Sequence, residues 1–283
     1  MTDFKSFYKT ASGEEGTRCL YPDRLDLYGC GCFHDCAYCY AKSLLDFRGL
    51  WDAENPSKAR IEDVRKVVAK MKPGSVVRLG GMTDCFQPEE ARSKLTKSTI
   101  AFLNQRGVHY LIVTKSPLIA NVEYLDRMDK DLAHIQVSIS CTDEQLAASI
   151  ERCATPQERM RAAEKLSKAG FDTTLRISPY LYQHVDYSAL ERCEVPKALV
   201  EFLRVNHWIE KWLPIDTREY THKEGGYRHL PLVKKMKLLE PLRDCFDQVS
   251  VCEDVDDHYQ RFRYFFNANP NDCCNLRMGD ANA

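Results

Sequence analysis

The chain has 283 residues, with 40 Lys and Arg against 41 Asp and Glu, a net charge of −1, and 44% hydrophobic residues. That composition excludes disordered and collagen-like classes, and the charge balance argues against a strongly basic non-specific nucleic-acid binder, leaving DNA a partner that charge does not favour. No apolar run reaches the roughly 18 residues a spanning helix needs, and the opening residues are too polar for a secretory signal, so a cytoplasmic protein with no membrane association is expected.

In chain order, residues 25–28 read as a short strand ending at a cysteine-rich segment, and 61–71 as a helix. A buried strand at 75–79 runs into Gly80-Gly81; 92–105 is helical and 108–114 a strand. Residues 123–129 read as a helix and 134–140 as a strand. The helix at 156–169 stops at Gly170, the residue type that tolerates a left-handed helix end. Strands at 172–177 and 198–205 follow, then a helix at 230–243 and a late strand at 248–252. Strands separated by helices imply βαβ units and a parallel sheet. Six such units precede the tail, too few for a closed eight-stranded barrel, so an open partial barrel or a doubly wound sheet is expected. In either, function sits at the carboxyl ends of the strands. The division expected is an N-terminal extension over 1–22, an α/β core over 23–206, and a C-terminal extension over 207–283 covering the core.

Without a secretion signal, 13 cysteines point to metal or redox chemistry rather than a disulfide framework. Residues 28–41 read YGCGCFHDCAYCYA and contain Cys32-x3-Cys36-x2-Cys39 directly after the first strand. Three thiolates this close can converge on one soft metal centre, and three ligands on a four-iron cluster leave one iron open. A zinc site is the alternative, with Cys30 or His34 as fourth ligand; incidental buried cysteines would rarely fall in this pattern.

The spacing, with Tyr38 in the aromatic place, resembles the radical S-adenosylmethionine (SAM) superfamily, over roughly residues 24–205. The resemblance implies a partial (β/α)6 TIM-like barrel, a 4Fe-4S cluster on Cys32, Cys36 and Cys39, and SAM as cofactor. It implies reductive cleavage of SAM to a 5′-deoxyadenosyl radical that abstracts hydrogen from a small-molecule or nucleotide substrate. An electron donor such as flavodoxin or ferredoxin would be the partner.

The segment Gly80-Gly81-Met82-Thr83-Asp84 matches the stretch that meets the SAM amino group in that superfamily, with Thr83 or Asp84 as acceptor. A plain strand-to-loop turn would explain the glycines alone. Its continuation TDCFQPEE, with Phe86-Gln87-Pro88-Glu89, is similar to the spore photoproduct lyase-like subgroup. Thr114-Lys115-Ser116 resembles a segment whose lysine meets the SAM carboxylate. Ser138 and Ser140 share one strand face, and either is a SAM-contacting candidate on the resemblance. Glu151, Pro156 and Arg159 also fit a stretch of the subgroup. Arg176 and Arg204 are candidate anion contacts or structural ion-pair members.

One departure concerns the hydrogen-atom donor. Spore photoproduct lyases carry a cysteine two residues before the Thr/Ser-Asp pair, and here that place is Gly81. Cys85, Cys141 and Tyr40 are the catalytic candidates that remain. The expected substrate is therefore a modified nucleoside or an amino-acid-like group, with lesion repair of the spore lyase type as the alternative. A zinc- or cluster-stabilised nucleic-acid-binding module is the alternative from another class. In the tail, Tyr220, His222, Lys223, Tyr227 and His229 around Gly225-Gly226 either cover the barrel mouth or form a surface loop. Cys245, Cys252, Cys273 and Cys274 read as buried or reactive thiols, with a second cluster or zinc site as the alternative, since adjacent cysteines rarely chelate one ion together.

Overall fold

A computed structural model describes residues 4–9 and 19–278; the remainder of the expected N-terminal extension and residues 279–283 lie outside the described residues. The main sheet has eight strands. They are β1 (Phe7–Lys9), β2 (Asp23–Leu25), β5 (Val76–Leu79), β6 (His109–Thr114), β7 (Ala133–Ile139), β8 (Asp172–Tyr180), β9 (Lys197–Phe202) and β12 (Gln248–Cys252), in that spatial order. Seven run parallel and only β1 is antiparallel to its neighbour. Each new parallel strand adds to the same edge, so the order never reverses as it does in a doubly wound sheet. Right-handed crossovers then put the connecting helices on the outer face, as Pro156–Lys168 packs on β7 and β8, and the sheet curls into a barrel that backbone hydrogen bonds among the described residues leave open between β1 and β12.

Period-two alternation gives the two faces different chemistry. Leu25, Leu79, Ile112, Val137, Ile177, Val200 and Val251 belong to the large core. The residues between them point inward: Arg24, Arg78, Leu111, Val113, Ser138, Arg176 and Glu201 line an internal cavity of about 250 Å³. The barrel interior is thus charged over much of its depth, where purely structural barrels carry layers of branched apolar residues.

The helix Pro156–Lys168 begins as its sequence dictates. Thr155 and Glu158 form a reciprocal capping box, and Pro156 takes the first turn, where its missing N–H costs nothing. Met160, Ala163 and Leu166 face the core, and Gly170 takes φ +89° just beyond the end. The helix expected at 92–105 is Leu95–Arg106, because Lys94 adopts φ +52° and breaks it from the short turn Glu90–Ser93. The strand expected at 25–28 divides. Asp26 and Leu27 separate β2 from β3 (Tyr28–Gly29), which pairs outside the barrel with β4 (Ser57–Lys58). The tail adds β12 beside β9 and a hairpin, β10 (His222–Glu224) with β11 (Tyr227–His229), turned by Gly225 and Gly226, both at positive φ.

Candidate active site

The loop after β3 carries Cys32, Cys36 and Cys39 to the carboxyl edge, where all three line the cavity. Turns shape it: Asp35 N–H donates to Cys32 O at 3.1 Å and Cys39 N–H to Cys36 O at 3.0 Å. Gln87, from the FQPE run, accepts from Phe33 N–H at 3.0 Å and braces the loop. Gly31 has no room for a side chain, since a Cβ would run into Asp52 O.

Burial raises all three thiol pKa values, Cys32 to about 12. A soft metal binds the thiolate, so loading this site would couple to proton release. Three thiols, those of Cys32 and Cys36 buried and that of Cys39 partly so, suit iron–sulfur or zinc chemistry. His34 does not serve as a fourth ligand here, because its Nε2 lies 3.1 Å from the Asp84 carboxylate.

Asp84 joins the strand ends. Its carboxylate accepts from Thr114 Oγ1 at 2.8 Å, Lys115 N–H at 2.7 Å and Phe86 N–H at 2.8 Å, besides the His34 contact. Burial alone would raise its pKa, but His34 and the backbone donors outweigh that and hold it below the ordinary value. Asp84 lines the cavity while its oxygens serve the fold. Thr83 lines it too, its hydroxyl donating to Tyr28 O at 2.6 Å. Gly80, at φ +82°, permits the turn; a Cβ there would meet Thr83 O at 2.6 Å. Asp26 holds the next two residues through Gly81 N–H at 2.6 Å and Met82 N–H at 3.2 Å. The Tyr8 hydroxyl, bonded to Asp26 at 2.8 Å, occupies the space a Cβ at Gly81 would need.

Lys115 Nζ lies 5.5 Å from the centre of the Tyr38 ring. The Tyr38 hydroxyl donates to Glu151, which forms a buried ion pair with Arg159, and Arg159 Nη1 donates to Ser138 O at 3.0 Å. Burial pulls the Lys115 pKa down, but Cys36 and Glu151 outweigh it and the net shift is upward. Ser138 lines the cavity; Ser140 lies 3.5 Å from Glu151 and is absent from the wall.

Arg176 donates to Glu201 at 2.6 Å and to Gln136 at 2.7 Å. Arg204 pairs with Asp254 at 2.9 Å and lies over the rings of Tyr40 and Tyr227. Tyr40, Tyr227, Glu201 and Glu253 also line the cavity. Cys85 and Cys141 do not. Cys85 is buried with its thiol toward Leu79 O, and Cys141 is buried with its thiol 3.5 Å from Asp143 O. The expectation that Cys141 faces the cavity therefore needs correction: the serine face of β7 points inward, and Cys141 lies beyond the strand end. Of the polar tail residues, Tyr227 reaches the cavity wall, whereas Tyr220 is buried elsewhere.

The tail cysteines also divide. Cys252, Cys273 and Cys274 line the cavity, whereas Cys245 contacts Tyr187 O and Pro241 O at the end of its helix. Cys19, from the segment before β2, takes the fourth place. Sequence spacing gave no sign of this partner. The Glu201–Arg176 pair was equally hidden, since it joins two strands 25 residues apart.

The sequence pattern of the radical SAM superfamily matches residues 27–186. The chain belongs to the radical SAM superfamily. It is an enzyme of that class, and the class implies a 4Fe-4S cluster and SAM. Among curated relatives, uncharacterized proteins of Mycobacterium tuberculosis and of Acidianus two-tailed virus are 27% and 28% identical over 166 and 167 residues. These matches cover 55% and 54% of this chain and 49% and 54% of the relatives, so the chain spans about half their length. A spore photoproduct lyase variant with bound AdoMet and dinucleoside spore photoproduct is similar with TM-score 0.59 at 15% identity, covering 90% of this chain and 78% of that one. Spore photoproduct lyase complexed with dinucleoside spore photoproduct gives 0.60 at 16%, over 92% and 78%. Native anSMEcpe with bound AdoMet gives 0.50 at 13%, over 87% and 62%. At these identities the structural likeness establishes the fold. No helix among the described residues is long and apolar enough to cross a membrane.

Proposed function

We propose that this enzyme holds its cluster on Cys32, Cys36 and Cys39, binds SAM beside it, and removes hydrogen from a modified nucleoside or an amino-acid-like substrate. The observation that carries the reading is the meeting of the three cysteines, Tyr38, Thr83 and Lys115 on one cavity wall at the carboxyl ends of the parallel strands. When bound, the cluster supplies the electron that cleaves SAM and so provides the hydrogen-abstracting radical.

The chain's own residues bind and orient. Lys115, kept cationic by its neighbours, suits the SAM carboxylate, and Tyr38 offers an aromatic wall fixed by Glu151. Along the rest of the cavity wall, Arg176, Glu201, Arg204 and Tyr227 present charge of both signs and a ring to a substrate. A lining of this kind favours a zwitterionic or nucleoside-like group, and a volume of about 250 Å³ suits a small molecule or one projecting group rather than a duplex. An electron donor such as flavodoxin or ferredoxin would act as redox partner.

The spore lyase likeness favours a second reading, repair of a thymine lesion. Gly81 counts against it, because this position offers no thiol and Tyr8 fills the space beside it. Cys85 and Cys141, the nearby alternatives, stand outside the cavity wall. The test is anaerobic reconstitution with SAM and a reductant, followed by product analysis against nucleosides, amino acids and spore-lesion dinucleotide. Conversion of a nucleoside or amino acid supports the first reading; efficient, repeated conversion of the lesion to two thymines overturns it.

A further inference from the structure

Cys19, Cys252, Cys273 and Cys274 come from three distant parts of the chain and meet inside the barrel. Cys252 ends β12, opposite Glu201 of β9. The other three are brought in by one carboxylate. Asp272 accepts from Tyr21, two residues beyond Cys19, at 2.7 Å, and from the backbone N–H of Cys274 and Leu276 at 2.9 and 3.0 Å. That turn presents the adjacent pair Cys273-Cys274 to the cavity that Cys252 also lines. Cys19 packs against the same cluster, with Arg24 Nη2 3.4 Å from its sulfur.

The surroundings are built for anionic sulfur. Gln136, only 1% exposed, has a side-chain N–H group buried without a conventional partner, and it faces Cys274. The Arg176 guanidinium is felt by both Cys252 and Cys274. Hydrogen bonds and positive charge at the sulfurs are what stabilise a thiolate-bound cluster.

The spread of the thiols discriminates between metals. A single zinc ion gathers its sulfurs at about 2.3 Å, which brings them all close together. Among the described residues, the trio of candidate ligand atoms lying within 4.8 Å of one another is His229, Glu253 and Asp254, and Lys235 and Arg204 already neutralise its two carboxylates. Among the described residues no cysteine trio has all three sulfurs within that distance, those of the 32–39 loop included. A polynuclear cluster accommodates that spread and allows neighbouring cysteines to bind different irons, which a single ion does not.

We propose that Cys19, Cys252, Cys273 and Cys274 ligate a second iron–sulfur cluster, on the inner wall of the cavity that Cys32, Cys36 and Cys39 close from the other side. The site stands independently of the substrate reading above.

The test is iron and acid-labile sulfide content, with electron paramagnetic resonance, after anaerobic reconstitution of the full chain. The wild type is compared with a Cys32→Ala/Cys36→Ala/Cys39→Ala triple variant and a Cys273→Ser/Cys274→Ser double variant. Each variant should lose part of the wild-type iron and sulfide and keep the rest, with a cluster signal distinct from the other's. Cys19→Ala and Cys252→Ala, each with a melting curve, give the same readout should the double variant fold poorly. A triple variant devoid of sulfide-bridged iron, or one that takes up zinc without sulfide, overturns the proposal. So does a wild type whose iron equals that of the folded Cys252→Ala and Cys19→Ala variants. Partial loss of iron from the triple variant, with a residual sulfide-bridged cluster, concerns the first cluster, so the two sites fail separately.

Discussion

The Tyr21 hydroxyl donates to the Asp272 carboxylate at 2.7 Å across 251 residues of chain. This bond ties the segment before β2 to the turn that follows the last helix, beside the open seam of the barrel. Both groups are buried. Tyr21→Phe leaves the carboxylate with its backbone donors but without its one phenol, and a bond to a charged group contributes roughly 1.5–3 kcal/mol. The variant should unfold at lower denaturant by about that amount. It should also exchange the amide hydrogens of Cys274 and Leu276 faster than the wild type, while those of β6 and β7 keep their protection. Unchanged exchange at 274 and 276 would show that the bond does not hold the turn.

Lys115 is tested by SAM binding. On the proposed placement of SAM, Lys115→Ala removes a charge-assisted hydrogen bond worth roughly 1.5–3 kcal/mol, so SAM affinity of the reconstituted enzyme should fall about tenfold or more. Iron content should stay as in the wild type, since Lys115 is not a ligand. Calorimetric titration showing unchanged affinity would remove Lys115 from the SAM site.

Asp172 gives a pH signature away from the site. It accepts from His134 Nδ1 at 2.7 Å, from Arg277 N–H at 2.8 Å, and from Lys197. Burial by itself would raise its pKa, but His134 and Lys197 win and hold it well below the usual carboxylate range. A carboxylate depressed in the folded state contributes stability that is full above its unfolded value of about 3.9 and is lost as pH falls through the folded value. Asp172→Asn should therefore cost stability at pH 7, by about 3–5 kcal/mol, because the partly buried Lys197 ammonium loses its counter-charge. The difference from wild type should shrink below about pH 4. Parallel acid-unfolding curves for the two proteins would contradict this.

Much of the fold could be read from the chain because it rests on local signals. The capping box at Thr155 and Glu158 and the stop at Gly170 set one helix, and the alternating run of β7 set its two faces. The cysteine loop was legible for the same reason: its three thiols lie within eight residues, after a strand end. What stayed hidden depends on the barrel closing in three dimensions. Nothing near Cys19 in sequence announces Cys252, and Asp84 reads as a free acceptor until His34, Thr114 and the Lys115 backbone are seen around it. Cys85 and Cys141 failed to reach the cavity because position at a strand end does not determine on which side of the sheet a thiol falls.

The account depends most on SAM chemistry at Cys32, Cys36 and Cys39, and 5′-deoxyadenosine formation measures it directly. Reconstituted wild-type enzyme given SAM and a strong one-electron reductant without oxygen should release 5′-deoxyadenosine and methionine. Cys36→Ala, matched for folding by circular dichroism, should release none above the enzyme-free background. Equal release by the two proteins, or none from wild type carrying its full iron and sulfide, would contradict the assignment.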